Sequence, residues 1–193
     1  MTRISIHPAK RSESRKIAEL YQLSSDGVSD YIWTKLAEPD EDLLDVGQRR
    51  YEREDSVFSY RSTSIVECDE QVAGMLVAFP MVIDEDYVEE DPVLAPYSVL
   101  EEPHSYYICA MAVFPDYRGQ GIGRQLLELA ETKAEEHGLG KLSLIVFEEN
   151  DGAKRLYDRS GYEVVAREPV VPHPLIHHAG DALLMVRTLQ SKH

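Results

Sequence analysis

Arg118-Gly-Gln-Gly-Ile-Gly-Arg124 concentrates the chemistry of this 193-residue chain. Three glycines in five residues let the backbone come close to a ligand. An apolar run, Tyr106 to Val113, precedes the segment. A helical repeat follows it, with Ile122, Leu126, Leu129, Ala130 and Ala134 on one face. A helix start offers unpaired N–H groups and the positive end of the helix dipole. Arg118 and Arg124 add fixed positive charge. The segment therefore reads as a cradle for a phosphate-bearing ligand. It is not a Walker loop, because no Gly-Lys-Ser/Thr opens the helix. A dinucleotide fingerprint spaces its glycines Gly-x-Gly-x-x-Gly, and here Gly123 falls one residue early. Glu148 and Glu149 stand where a ribose-binding acid belongs, which keeps an NAD(P)-binding oxidoreductase as an alternative. About a hundred residues precede the unit, however, and no further strand–helix–strand repeat follows.

The charge balance bounds the partners. Acidic residues number 35 and basic residues 20, a net charge of −15. That excess argues against nucleic acid and anionic membrane surfaces, which need Lys and Arg. A small anionic ligand answers only to its local site, so it stays allowed. Residues 84–102 hold eight acidic residues, no basic ones and two prolines. They read as a long acidic loop, a length that often marks function. Cys68 and Cys109 are too few for a disulfide framework, and their apolar neighbours predict buried, reduced thiols. No apolar run reaches the roughly 18 residues of a membrane span. The N-terminus lacks the pattern of a signal peptide. The chain is expected to be one soluble, cytoplasmic domain over residues 1–193, and a homodimer is compatible with it.

The elements around the turn follow from periodicity. Residues 3–7 read as a strand stopped by Pro8. Ser12 is expected to cap a helix bearing Ile17, Leu20 and Tyr21. Val28, Tyr31, Ile32 and Leu36 repeat at helical spacing, and a third helix is expected over 43–53 despite Gly47. Residues 63–67 and 72–82 flank Asp69-Glu70 as a hairpin, with a bulge at Gly74. Residues 141–147 read as a second buried strand, 153–160 as a short helix, and 162–166 and 182–189 as closing strands. A strand–turn–helix–strand unit implies a parallel or mixed sheet in an α/β (α+β) fold.

Arg118-x-x-Gly121-x-Gly123 resembles the coenzyme A pyrophosphate motif of the GCN5-related N-acetyltransferase (GNAT) superfamily. The likeness extends through Ala112-Val-Phe-Pro-Asp-Tyr, through Asn150, Ala153, Leu156-Tyr157 and Gly161-Tyr162, and to Ile6-His-Pro-Ala9 and the hairpin. The acidic loop and residues 26–53 match least. The resemblance implies a mixed, mostly antiparallel sheet with two splayed central parallel strands, 106–113 and 141–147, flanked by helices. It implies acetyl-CoA as cosubstrate. Backbone groups of Met111, Ala112 and Val113 would meet the pantetheine. The main-chain N–H groups of Gly119, Gln120, Gly121, Ile122, Gly123 and Arg124 would hold the pyrophosphate, beside Arg118. Asn150 would contact the pantetheine arm, and Tyr157 would be the general acid and a further cofactor-binding residue.

Acetyl transfer to an amine needs a neutral nucleophile, donors for an oxyanion, and a proton for the leaving thiolate. The base stays open. Where some relatives carry a catalytic glutamate, five residues before Asn150, this chain has Ile145. Glu102, His104, Glu67, His173, His177 and His178 are candidates, as is water. The three loop histidines lack a nearby Cys or a clear fourth ligand, so no metal is expected of them. The expected acceptor is an amine of a small molecule or peptide, cationic if the acidic loop attracts it. The rival from another class is a non-catalytic acetyl-CoA sensor or scaffold.

Overall fold

The computed structural model describes residues 3–84 and 86–190, so Glu85 of the acidic segment and both chain ends lie outside the described residues. Contacts divide the chain into two units, Met1–Ala78 with Ala110–Leu126, and Phe79–Cys109 with Leu127–His193. The strand order is β1-β2-β3-β4-β5-β7-β6, a mixed sheet in which β4 and β5 run parallel. The pairings β1–β2, β2–β3, β5–β7 and β6–β7 are antiparallel.

The first unit opens with β1 (Ile4–Pro8), α1 (Ser14–Ser25), α2 (Val28–Leu36) and α3 (Leu43–Tyr51). Ser12 does not cap α1. It sits in a 3-10 turn, Arg11–Glu13, that precedes the helix. Glu13 reaches back instead, and its Oε2 accepts the Lys10 N–H at 2.6 Å. Asp42 caps α3 by accepting from the Leu44 N–H. The apolar faces of the helices meet at Ile17, Leu20, Trp33, Val46 and Tyr51, all buried. The Tyr21 ring packs 6.2 Å from Trp33 and 5.6 Å from Tyr51. Gly47 is explained here: a Cβ would lie 2.6 Å from the Trp33 ring and 2.9 Å from the Ala18 Cβ. The helix tolerates glycine because the tryptophan occupies its side-chain space.

β2 (Thr63–Cys68) and β3 (Gln71–Pro80) form the expected hairpin. Asp69 and Glu70 carry φ of 49° and 66°, the two left-handed residues of a type I′ turn. Val66 faces Gly74 while Glu67 faces Val72, which leaves Ala73 extra on β3. That is a β-bulge at the expected place.

The second unit takes Tyr106–Cys109 of β4 (Tyr106–Val113), and there Tyr106–Ile108 stand in parallel register with Leu142–Leu144 of β5 (Lys141–Phe147). Ser105 Oγ bonds Ser143 Oγ at 2.6 Å and the Glu102 carbonyl at 2.8 Å, which pins the entry to β4 against β5. β7 (Asp181–Thr188) pairs along all of β5, and β6 (Glu163–Pro169) forms the outer edge. α5 (Ile122–Glu136) and α6 (Asp151–Arg159) follow β4 and β5 respectively.

Three further expectations need correction. The acidic segment is not wholly irregular: Val93 and Leu100 are buried and bracket a short helix, α4 (Ala95–Ser98). Apolar anchoring fastens a stretch that composition alone reads as a long acidic loop. β4 is not buried on both faces. Tyr106, Ile108, Ala110 and Ala112 are buried, whereas Tyr107, Cys109, Met111 and Val113 alternate with them half-buried. By the same alternation only Cys68 of the two free thiols is fully buried.

Gly47→Ala tests the packing account. Helix propensity alone favours alanine by roughly 0.5–1 kcal/mol. Overpacking against a buried ring costs about 1–3 kcal/mol. Urea denaturation should therefore show a net loss of about 1–2 kcal/mol.

Candidate active site

The first unit builds the anion cradle. After β4, the chain makes a 3-10 turn, Pro115–Tyr117, and enters α5 at Ile122. Gly121 accepts the first helical bond, from Gln125 N at 3.2 Å. Gly119 and Gly121 carry φ of 76° and 78°. A Cβ on either would meet nothing within 4 Å. These glycines are therefore required by backbone conformation and not by crowding. The outcome is a row of donors. The N–H groups of Gly119, Gln120, Gly121, Ile122 and Gly123 have no partner among the described residues. All five lie within the turn and the first helical turn, where the dipole favours an anion.

Arg118 supports this row in a way that its charge alone did not reveal. Its Nε donates to the Val113 carbonyl at 3.0 Å, which closes the end of β4 onto the turn. The four terminal N–H donors of the guanidinium have no partner among the described residues. Arg124 lies exposed in the first turn of α5. Met111, Ala112 and Val113 lie on the same stretch of β4, with Met111 and Val113 on its half-buried face. Gly74 also belongs here, and sequence reasoning gave it only the bulge. A Cβ there would stand 2.6 Å from the Ala112 carbonyl oxygen. β3 thus sets the position of the β4 backbone at this point. No spacing pattern announces such a cross-strand contact.

The second unit carries the other expected residues. Asn150 is the N-cap of α6, and its Oδ1 accepts from Ala153 N at 3.1 Å. Its side-chain amide N–H groups have no partner among the described residues. Tyr157 lies on the buried face of α6, 8% exposed, with its ring 5.8 Å from that of Tyr162. Burial pushes its hydroxyl up to about 12. The group therefore stays protonated through neutral pH, as a proton donor must. Its hydroxyl makes no hydrogen bond among the described residues.

The base candidates are dispersed. Glu102 is ion-paired with Lys141 at 2.5 Å. His104 is exposed, in a left-handed turn conformation with φ of 58°. His178 stacks on Phe147 at 3.9 Å and faces Glu149 at 3.7 Å. His173 Nδ1 accepts from Leu175 N, and His177 is exposed. Glu67 faces His7 in the first unit. Glu148, a candidate ribose ligand in the oxidoreductase reading, is engaged by the Asp181 N–H and by Arg167.

The model of the Acetyltransferase (GNAT) family matches residues 26–162, and the chain belongs to that family. An uncharacterized N-acetyltransferase of Bacillus subtilis is 35% identical over 57 residues, 30% of this chain and 36% of that protein. The chain spans about two-fifths of the length of the curated relatives it matches at this level. The peptidyl-lysine N-acetyltransferase YjaB of Salmonella typhimurium is 25% identical, with 70% of this chain and 97% of that protein covered. Among solved structures, an acetyltransferase shares the fold with a TM-score of 0.68 at 20% identity, covering 96% of this chain and all of that one. The PaiA N-acetyltransferase of Thermoplasma acidophilum, solved with coenzyme A, gives 0.60 at 14% identity, covering 96% and 99%. The relatives named N-acetyltransferases agree with that family.

Asn150 offers a test of its local role. Asn150→Ala should cost about 1 kcal/mol, the usual value of a lost cap. Asn150→Asp should keep that stability, because the cap uses the carbonyl oxygen alone. Thermal denaturation of both variants separates the cap from any ligand contact made by the amide.

Proposed function

We propose that the chain transfers an acetyl group from acetyl-CoA to an amine by direct attack within a ternary complex. The observation that carries this reading is the row of five N–H groups from Gly119 to Gly123 that find no partner among the described residues. A pyrophosphate would supply the acceptors that these donors lack, and the guanidinium of Arg118 would add charge-assisted bonds. Backbone groups of Met111 to Val113 would meet the pantetheine arm and the thioester carbonyl, and the Asn150 amide would donate to the same arm. Acetyl-CoA supplies an activated acyl carbon. The amine attacks that carbon, and main-chain donors of β4 hold the oxyanion that forms. Tyr157 gives its proton to the departing thiolate.

The amine must be neutral to attack, and a lysine-type amine titrates near 10.4. We assign no side chain as the base. Glu102 is committed to Lys141, and His104 projects from an exposed turn. The neutral fraction of the amine reacts, with solvent taking its proton. The acidic residues of 84–102 favour a cationic acceptor, such as a polyamine or a lysine side chain. The peptidyl-lysine activity named for YjaB agrees with that class.

Thiol release measured across an amine panel tests both parts. Cationic amines should turn over ahead of neutral and anionic ones. Tyr157→Phe should lower kcat on the order of 10²-fold while the affinity for acetyl-CoA holds. An unchanged kcat removes Tyr157 from the chemistry. Acetyl-CoA binding without turnover on any amine would make the chain a sensor.

A further inference from the structure

His7, Glu13 and Glu67 come together in the first unit although 6 and 54 residues separate them in the chain. The strand register explains half of this. Ser5 faces Glu67 and His7 faces Ile65, so His7 and Glu67 are diagonal neighbours on one face of the β1–β2 pair. The 3-10 turn brings Glu13 to the same place. His7 Nε2 lies 3.5 Å from Glu67 Oε1 and 3.8 Å from Glu13 Oε1. One ligand atom from each of the three residues lies within 4.8 Å of the others. The side chains are less than a third exposed, at 27%, 16% and 29%.

The orientation of the imidazole decides what this cluster can hold. Nδ1 stands 3.0 Å from the Pro8 carbonyl, which can only accept. A proton on Nδ1 answers that carbonyl and leaves Nε2 facing the two carboxylates. One ring nitrogen and one oxygen from each carboxylate then converge on a single place. The 3.5 Å separation matches the edge of a tetrahedron built on metal bonds of about 2.0–2.2 Å, and the 3.8 Å separation is slightly wider. The surroundings are also those of a ligand set. A metal-bound histidine typically donates its other N–H to a carbonyl, as His7 does. Glu13 is oriented in turn by the Lys10 N–H on its second oxygen.

We propose that His7, Glu13 and Glu67 bind a divalent transition metal of the zinc class, with water completing the coordination. The metal fastens β1 to β2 and to the turn that leads into α1. It stands apart from the acyl-transfer chemistry, and Glu67 serves here as a ligand.

Isothermal titration of chelator-treated protein with Zn²⁺ tests this, with Co²⁺ as a spectroscopic probe. Wild type should bind one Zn²⁺ per chain, raise its Tm on binding, and show visible d–d bands with Co²⁺. Glu67→Gln and His7→Ala should each weaken binding about 10-fold or more. Should His7→Ala fail to fold by circular dichroism, the isosteric Glu67→Gln decides alone. The proposal is overturned if wild type shows no saturable Zn²⁺ binding, or if Glu67→Gln binds as wild type does.

Discussion

A row of N–H groups at the start of α5, without partners among the described residues, is the constraint from which most of this molecule follows. Helix geometry makes the first donors unavoidable. Gly119 and Gly121, both left-handed, extend the row backward into the turn. Arg118 binds the last carbonyl of β4 and fixes the turn to the strand. An open donor row at the surface needs support from residues that never touch a ligand. Gly74 is one of them, since only glycine lets β3 come so close to the Ala112 carbonyl. Ile122 and Leu126 are buried and seat the helix beneath its own donors.

The second half of the chain applies a different physical device. Tyr157 is placed by burial and not by a hydrogen bond, and burial keeps its proton in place. Tyr162 packs beside it, and its N–H bonds the Tyr157 carbonyl at 3.0 Å. Asn150 shows how one side chain can serve two ends. Its oxygen caps α6, and its nitrogen remains to donate elsewhere.

Local features were legible in the sequence and remote pairings were not. The Gly/Arg turn, α5 and both parallel strands follow from composition and period within a dozen residues. The bulge was marked by Gly74, and the hairpin by Asp69-Glu70. The cap of α1 was misplaced because Ser12 suits a cap by type, whereas Glu13 meets the Lys10 N–H by reach. The acidic segment hid α4, because charge dominates its composition while Val93 and Leu100 fasten it. The meeting of His7 with Glu67, the Ser105–Ser143 bond and the Gly47–Trp33 contact depend on strand and helix register, which no local pattern carries.

The net charge of −15 fits beside an anion site once both are read locally. Eight acidic residues fall in one segment, and the donor row lies in another, flanked by Arg118 and Arg124. The most direct test of the donor row is a ¹⁵N–¹H NMR titration of the protein with coenzyme A. The amide signals of Gly119, Gln120, Gly121, Ile122 and Gly123 should move together and saturably, and NAD should leave them in place. Coenzyme A binding that shifts other amides and leaves these five unchanged would contradict the account.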